Sequence, residues 1–135
     1  MFIAISACSS QNSSPEEVVR DVVKCLHNKD LNGYIQHIRY GERIQMIRNI
    51  EGNIGDNQNE WISDEILEII SVEGPHDNDQ YHLNFERAIY PDFDLRRVKT
   101  IIRYRNGRES EVEWLVVRQD GEWMLEGYND RRLQI

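Results

Sequence analysis

Apolar positions change their spacing along the chain, from a helical period near the start to alternation near the end. The first apolar stripe recurs at i, i+3, i+4 and i+7, as one buried helix face does; its members are Val19, Val22, Val23 and Leu26. Ser14-Pro15-Glu16-Glu17 stands just before the stripe and forms a capping box with proline in the first helical position. The pattern predicts an amphipathic helix that begins at Pro15 and ends near Asn28.

Two more helices are predicted in the next third of the chain. Asp30 is a favoured N-cap residue, and apolar positions follow it at helical spacing: Leu31, Tyr34, Ile35 and Ile38. A third helix is predicted between Glu42 and Ile50, because Ile44, Ile47 and Ile50 are roughly in register. The glycine- and asparagine-rich residues 51–57 end it.

The middle of the chain predicts strands. Residues 66–72 are apolar and β-branched, which indicates a helix that runs into a strand. The polar residues 74–79 then predict a loop. Tyr81, Leu83 and Phe85 alternate with polar residues, which predicts a half-buried strand.

The last third predicts a β-meander with two tight turns, Asn106-Gly107 and Asp120-Gly121. A two-residue loop at the first turn places Lys99 opposite Trp114 and Ile101 opposite Val112. A two-residue loop at the second turn sets three pairs: Val116 with Leu125, Val117 with Met124, and Arg118 with Trp123.

This register predicts two apolar sheet faces. The first face packs against the first helix and carries Ile101, Val112, Trp114, Val116, Trp123 and Leu125. The second face also carries Val98, and Glu109, Glu111 and Glu113 interrupt it. A face turned to solvent should be polar, so we expect the second face to meet another copy of the chain or a partner. Its candidate contact residues are Ile102, Tyr104, Leu115, Val117 and Met124.

The first ten residues contain a second kind of signal. Ile5-Ser6-Ala7-Cys8 matches a bacterial lipobox, in which an aliphatic residue and two small residues precede the cysteine that receives the lipid. Only Met1 to Ala7 precede Cys8, and none of them is Lys or Arg, although a signal peptide needs a basic region and roughly 7–15 apolar residues.

Two interpretations of Cys8 therefore stand. Either the chain begins inside a longer signal peptide, or Cys8 is an ordinary cysteine near a frayed terminus. The polar residues 9–14 favour the first, because such a stretch is typical of a tether between a lipidated cysteine and a folded domain. We expect lipid attachment at Cys8 and a location in the bacterial cell envelope, outside the cytoplasm.

The net charge limits the classes of partner that the sequence allows, and the cysteine content limits the possible disulfides. The net charge of −8 argues against nucleic acid, because phosphate binding needs clusters of Lys and Arg. If Cys8 carries lipid, Cys25 has no cysteine left to pair with in the chain. We expect Cys25 to be a small buried apolar residue rather than a nucleophile.

N-terminal helices followed by a meander that ends in Val117 to Leu125 resemble the nuclear-transport-factor-2-like, cystatin-like cone. Within that fold the chain resembles small bacterial lipoproteins of unknown function. The matching motifs are Ser14 to Glu17, Asn28 to Asp30, and Asp120-Gly121-Glu122-Trp123. The resemblance implies an α+β fold in which two or three helices pack in the concave face of a curved, mostly antiparallel sheet of four to five strands. It also implies dimerisation through the outer face and supplies no catalytic residues.

Enzymes of this fold place a carboxylate base beside a Tyr or Asp donor in an apolar pocket. The candidate pocket residues are Tyr34, His37, Trp114 and Trp123, and the predicted register turns no Asp or Glu toward them. His76, Asp77, Asp79 and His82 are the one local grouping of metal-ligand types, but residues 75–79 are turn chemistry, so we predict a solvated loop and no metal or cofactor.

The sequence thus predicts a non-enzymatic, membrane-anchored lipoprotein domain that binds a protein, peptide or small ligand. A small pocket enzyme of isomerase or dehydratase type is the alternative. The predicted organisation is a signal-peptide remnant at 1–8, a tether at 9–14, the domain at 15–130 and a tail at 131–135.

Overall fold

A computed structural model describes residues 14–46, 48 and 62–130. It has an α+β fold with an antiparallel four-stranded curved sheet and an N-terminal helix packed on it. In chain order the elements are α1 (Pro15–His27), α2 (Leu31–Gln36), β1 (Ser63–Glu73), α3 (Gln80–Arg87), β2 (Asp94–Tyr104), β3 (Glu109–Gln119) and β4 (Glu122–Asp130). Short 3-10 turns occupy Tyr40–Glu42 and Asp77–Asp79, and residues 43–46 are helical. We call the side of the sheet that contacts α1 the inner face and the opposite side the outer face.

The predicted start of α1 and its N-cap bond are confirmed. The Glu17 amide donates to the Ser14 hydroxyl at 3.3 Å, and Pro15 begins the helix. At the other end the Arg105 guanidinium donates to the Leu26 and His27 carbonyl oxygens, the second at 3.1 Å. Such bonds satisfy carbonyl groups that the helix leaves without partners. Both ends of α1 are therefore fixed by side chains, one local and one from the loop between β2 and β3.

The predicted core around Trp114 and Trp123 is confirmed. Both side chains are buried in one cluster with the apolar stripe of α1. The Trp114 indole N–H donates to the Thr100 hydroxyl at 2.9 Å, and that hydroxyl donates to the Val112 carbonyl at 3.0 Å. The polar atoms buried here are thus paired, as a stable core requires.

The Asp120-Gly121 turn is as predicted, but the Asn106-Gly107 turn is not. Asp120 and Gly121 both have positive φ, 53° and 81°, which identifies a two-residue type I′ turn. Arg118 lies opposite Trp123 and Val117 opposite Met124, as expected. The first loop has three residues instead of two, because the Gly107 amide donates to the Tyr104 carbonyl at 2.9 Å and the Tyr104 amide to the Arg108 carbonyl at 2.8 Å.

This longer loop shifts the β2–β3 register by one residue. Val98 lies opposite Trp114 and Ile101 opposite Glu111, so β2 shows the opposite faces to those predicted. Ile102 and Tyr104, predicted for the outer face, are buried in the inner-face core. Their predicted place beside Leu115 and Val117 is wrong.

The segment predicted as a strand around Leu83 is a helix, α3. Leu83 is buried against Phe93, Leu95 and Val117 on the outer face. Alternation over three positions misled the prediction, because one buried residue between two exposed ones fits a helix as well. The apolar outer face at Val117 and Leu115 is therefore covered by the chain itself.

The carboxylate of Asp79 attaches the turn before α3 to the sheet. Asp79 accepts from the His76 amide at 2.8 Å and from both terminal nitrogens of Arg97. The hydrogen bonds from Arg97, with the His76 amide, lower the pKa of Asp79 to about 2. The loop thus positions α3 over the outer face.

The segment 66–72 lies within β1, which is a strand from Ser63 to Glu73 with no helical part. Its pairing with β2 has three register shifts, between Ser63 and Glu65, between Ile66 and Glu68, and between Ile69 and Ser71. The third predicted helix lies partly outside the described residues; in the described part, Met46 is buried and Ile44 is exposed.

Candidate functional site

The four candidate pocket residues come together on the inner side of the sheet. Tyr34, His37, Trp114 and Trp123 are all buried. Burial, and to a smaller extent the nearby Tyr128, raises the pKa of the Tyr34 hydroxyl far above its usual value. They are side chains of the packed core.

A carboxylate that the sequence reading missed also lies on the inner face. Asp130 is buried, and its two carboxylate oxygens accept from the Tyr104 hydroxyl and, at 2.6 Å, from the Ser110 hydroxyl. Two departures from regular pairing create this group. The three-residue loop turns Tyr104 inward, and a register shift opposite Leu115 and Val116 turns the end of β4.

The candidate residues of the outer face do not form one surface. Ile102 and Tyr104 lie on the inner side, whereas Leu115 and Val117 contact the cluster that holds Leu83. Met124 is half-buried and lies opposite Val117. The exposed apolar surface on this side of the sheet belongs instead to α3.

Three large apolar side chains project from α3 and the turn after it. Tyr81, Phe85 and Ile89 are 83%, 62% and 63% exposed, and their spacing of i, i+4 and i+8 places them along one side of a helix. We call these three residues the α3 face. A helix in a folded domain usually turns its apolar side to the core, but here the core contact is made by Leu83. The spacing of 81, 85 and 89 was present in the sequence and would have identified the face.

A charged cluster behind the α3 face attaches the helix to the rest of the domain. Arg39 donates to both carboxylate oxygens of Glu86, at 2.7 and 2.9 Å. Its Nε donates to the Gln119 side chain at 2.9 Å, and its Nη1 lies 3.5 Å from the carboxylate of Glu126. Arg39 itself is held by β-type hydrogen bonding, because its amide donates to the Leu125 carbonyl at 2.8 Å. We call Arg39, Gln119, Glu86, Glu126 and His82 the Arg39 cluster.

Aromatic rings complete this cluster. The Arg39 guanidinium lies over the Phe93 ring, 5.1 Å from its centroid, and 5.9 Å from that of Tyr90. The His82 ring meets the Phe93 ring edge to face at 5.5 Å, and its Nε2 lies 3.4 Å from a Glu126 carboxylate oxygen. Stacking of this kind adds to the ion pair, because rings favour a cation over their faces.

The two carboxylates that share Arg39 differ in their proton affinity. Hydrogen bonds from Arg39 lower the pKa of Glu86. Burial raises the pKa of Glu126, although Arg39 and His82 act in the opposite direction. Glu126 lies at the register shift between β3 and β4, and bulges of this kind re-aim side chains. The cluster thus contains one strong ion pair and one carboxyl that retains its proton to higher pH.

The side chains predicted as candidate metal ligands contact different residues instead of one another. His76 binds Glu73, Asp79 binds Arg97 and His82 faces Glu126, while Asp77 is exposed. Within the described ranges, no group of three or more such side chains has a geometry that would hold a metal ion.

Whether Cys8 can carry a lipid depends on the bonding of Cys25. Cys25 is fully buried and is disulfide-bonded, whereas Cys8 lies outside the described residues. The sequence holds two cysteines, so a disulfide within the chain and a lipid on Cys8 compete for the same thiol.

Among the residues that the structure describes, none of the helices has the length and apolar character needed to cross a membrane. No protein-family model, curated protein or solved structure matches the chain.

Proposed function

We propose that the chain is a non-enzymatic, lipid-anchored domain of the bacterial cell envelope that binds a partner protein through the α3 face. The observation that carries this proposal is the exposure of Tyr81, Phe85 and Ile89 on one side of α3. Aromatic side chains are enriched at the centres of protein interfaces. An exposed row of this kind is a typical docking surface.

The support beneath the α3 face favours binding rather than incidental exposure. Leu83 and the Arg39–Glu86 ion pair fix both sides of the helix that carries the face. A side chain presented on a rigid element loses less conformational freedom when it binds, so more of the contact energy appears as affinity.

The charge of the chain favours a basic partner over a second copy. Each copy carries a net charge of −8, so two copies repel each other at long range. A partner that offers an apolar groove with a basic rim is complementary in both respects. The predicted homodimer remains a prediction.

The proposal also assigns the α+β fold more finely, to the nuclear-transport-factor-2-like cone. It is supported by the packing of α1 on the inner face, by the strand order β1-β2-β3-β4, and by the Asp120-Gly121 turn before Trp123.

The anchor rests on Ile5-Ser6-Ala7-Cys8 and on the polar residues 9–14. Lipidation of Cys8 requires that its thiol is not in a disulfide. A lipid on the Cys8 thiol and a disulfide at that thiol both support a location outside the cytoplasm, because structural disulfides persist there.

A pocket enzyme is the second candidate, and one observation favours it. Asp130 and Tyr104 provide the buried carboxylate and neighbouring Tyr that such an enzyme uses. Against it, each oxygen of Asp130 already accepts a hydrogen bond from within the chain. The pair serves the core as it stands, so the binding function has the better support.

Cross-linking in intact cells tests the docking proposal. A photoreactive benzoylphenylalanine in place of Phe85 is expected to give one dominant adduct with a basic protein. Adding Ile89→Glu should reduce that adduct about tenfold, because a charge in the centre of an apolar contact is costly. Ile89 is exposed, so this substitution should leave the melting temperature unchanged.

The matched control places the same photoreactive residue at Glu68, which is exposed on β1. Equal adducts from positions 68 and 85, or an adduct that survives Ile89→Glu, would contradict docking through α3. An adduct of twice the chain mass would favour the homodimer instead.

Lipidation is tested on the chain expressed with its complete upstream coding sequence. We expect radiolabelled palmitate on the protein and partition into the detergent phase, since two or three acyl chains anchor stably. Cys8→Ser should abolish both signals, whereas Cys25→Ser should retain them. Wild-type protein that stays aqueous and unlabelled would refute the anchor but not the docking surface.

A further inference from the structure

A groove runs between α1 and β1, on the side of the domain away from the Arg39 cluster. Its volume is about 550 Å³, and it is lined by Arg20, Val23, Lys24 and His27 of α1 and by Asp64, Glu65 and Ile66 of β1. This volume lies within the usual range of ligand clefts, roughly 300–1,000 Å³. The groove is therefore large enough for a ligand.

The acidic side chains of the groove already have hydrogen-bond or ion-pair partners within the chain. Asp64 lies 2.8 Å from His27 Nδ1 and 3.8 Å from Arg105 Nε. Glu65 accepts from Arg103 at 2.7 Å. The carboxylates of the β1 side are thus largely compensated within the chain.

The cations on the α1 side are not compensated in this way. Arg20 and Lys24 are exposed, and among the described residues neither side chain takes part in an ion pair or hydrogen bond. Glu16, Glu17 and Asp21 lie on the same helix, but none is ion-paired with either of them in the described part of the chain. The chain has 24 acidic and 16 basic residues, so two neighbouring unpaired cations beside a groove are unexpected.

The apolar part of the groove lies between these charges. Val23 is buried and Ile66 is half-buried. Arg20 to His27 spans about 10 Å along α1, at about 1.5 Å per residue, which equals the length of about three extended residues. His27 and Asp64, which contact each other, both line the groove.

We propose that this groove binds a short extended acidic peptide segment, with its carboxylates on Arg20 and Lys24 and an apolar side chain on Val23 and Ile66. The cations supply charge complementarity, and the apolar floor supplies contact area. Screening limits the repulsion of distant acidic groups, because the Debye length at physiological salt is about 8 Å. This site is independent of docking through α3.

A titration followed by amide NMR of the full chain tests the proposal. The probe is the blocked hexapeptide acetyl-(Leu-Glu)3-amide, and acetyl-(Leu-Gln)3-amide and acetyl-(Leu-Lys)3-amide are the controls. We expect saturable shifts at Val23, Lys24 and Ile66, and affinity for the acidic peptide about fivefold above that for the neutral one, as for two exposed ion pairs. The advantage should fall as salt is raised.

The variant Arg20→Gln with Lys24→Gln should remove the difference between the acidic and neutral peptides and leave the melting temperature unchanged. Lys29→Gln is the matched control, because Lys29 is exposed beyond the end of α1, and it should bind like wild type. Equal binding of all three peptides, shifts confined to other parts of the sheet, or an unchanged preference in the double variant would each overturn the proposal.

Discussion

Replacing Arg39 with methionine is expected to lower the free energy of unfolding at pH 7 by about 2–4 kcal/mol. Breaking a fully buried ion pair costs about 3–5 kcal/mol, because the remaining charge is left without compensation. Arg39 and Glu86 are mostly but not fully buried, with 16% and 12% of their side chains exposed, so we expect a loss about 1 kcal/mol smaller than that range. The loss should appear in urea unfolding.

The Arg39 effect should depend on pH with a defined sign. Arg39 lowers the pKa of Glu86, so its contribution is complete above the unfolded value of about 4.3 and is lost as pH falls below it. The raised pKa of Glu126 acts in the opposite sense: its ionisation destabilises the fold as pH rises above about 4.3. Arg39 also lowers the pKa of Glu126, so removing Arg39 makes that ionisation more destabilising. Both effects therefore predict that wild type and variant converge in acid.

Two further variants separate the ion pair from the packing of the side chain. Arg39→Met with Glu86→Gln should recover part of the stability, because the uncompensated carboxylate is removed. Arg20→Met is the surface control and should change stability by less than about 0.5 kcal/mol. An Arg39→Met variant as stable as this control would show that the Arg39–Glu86 ion pair does not hold α3 in place.

Trp114→Ala should have the largest effect among core variants, with a loss of about 3–5 kcal/mol. The side chain is buried between the α1 stripe and Tyr128, whose ring centroid lies 5.5 Å away. Trp114→Phe keeps most of the ring volume but removes the donor to the Thr100 hydroxyl, so a smaller loss of about 1–2 kcal/mol is expected.

Tyr81→Ala is the control for Trp114, since Tyr81 is exposed and should be nearly neutral. Thermal and urea unfolding of the three variants give the comparison. A Trp114→Ala loss below about 1 kcal/mol would mean that the side chain does not lie on the inner face.

Local signals predicted the parts of the fold that are decided locally. The N-cap at Ser14 and the proline after it set the start of α1 within four residues of chain. Asp120 and Gly121 both accept positive φ, so the β3–β4 register over residues 116–119 follows from the turn alone.

Distant contacts decided the parts that the sequence reading missed. Asn106-Gly107 suits a two- or a three-residue loop. Arg105 becomes the third residue of the loop because its guanidinium donates to the end of α1 and its amide donates to the Ile62 carbonyl at 3.2 Å. No local pattern encodes those contacts.

The same limit applies to the candidate site. The Arg39 cluster joins residues 39, 86, 119 and 126, which are remote in sequence and meet only through the fold. The α3 face was predictable in principle, but the helical period and strand alternation compete over so short a segment.

The irregular pairing of β1 bears on how the domain behaves when crowded. β1 lies at an edge of the sheet, and three register shifts interrupt its ladder with β2. A straight edge strand offers evenly spaced amide and carbonyl groups that recruit strands from other molecules, whereas bulges disturb that spacing and twist the edge. Domains at high concentration meet one another often, and this edge makes the encounters poor starting points for amyloid-like polymerisation.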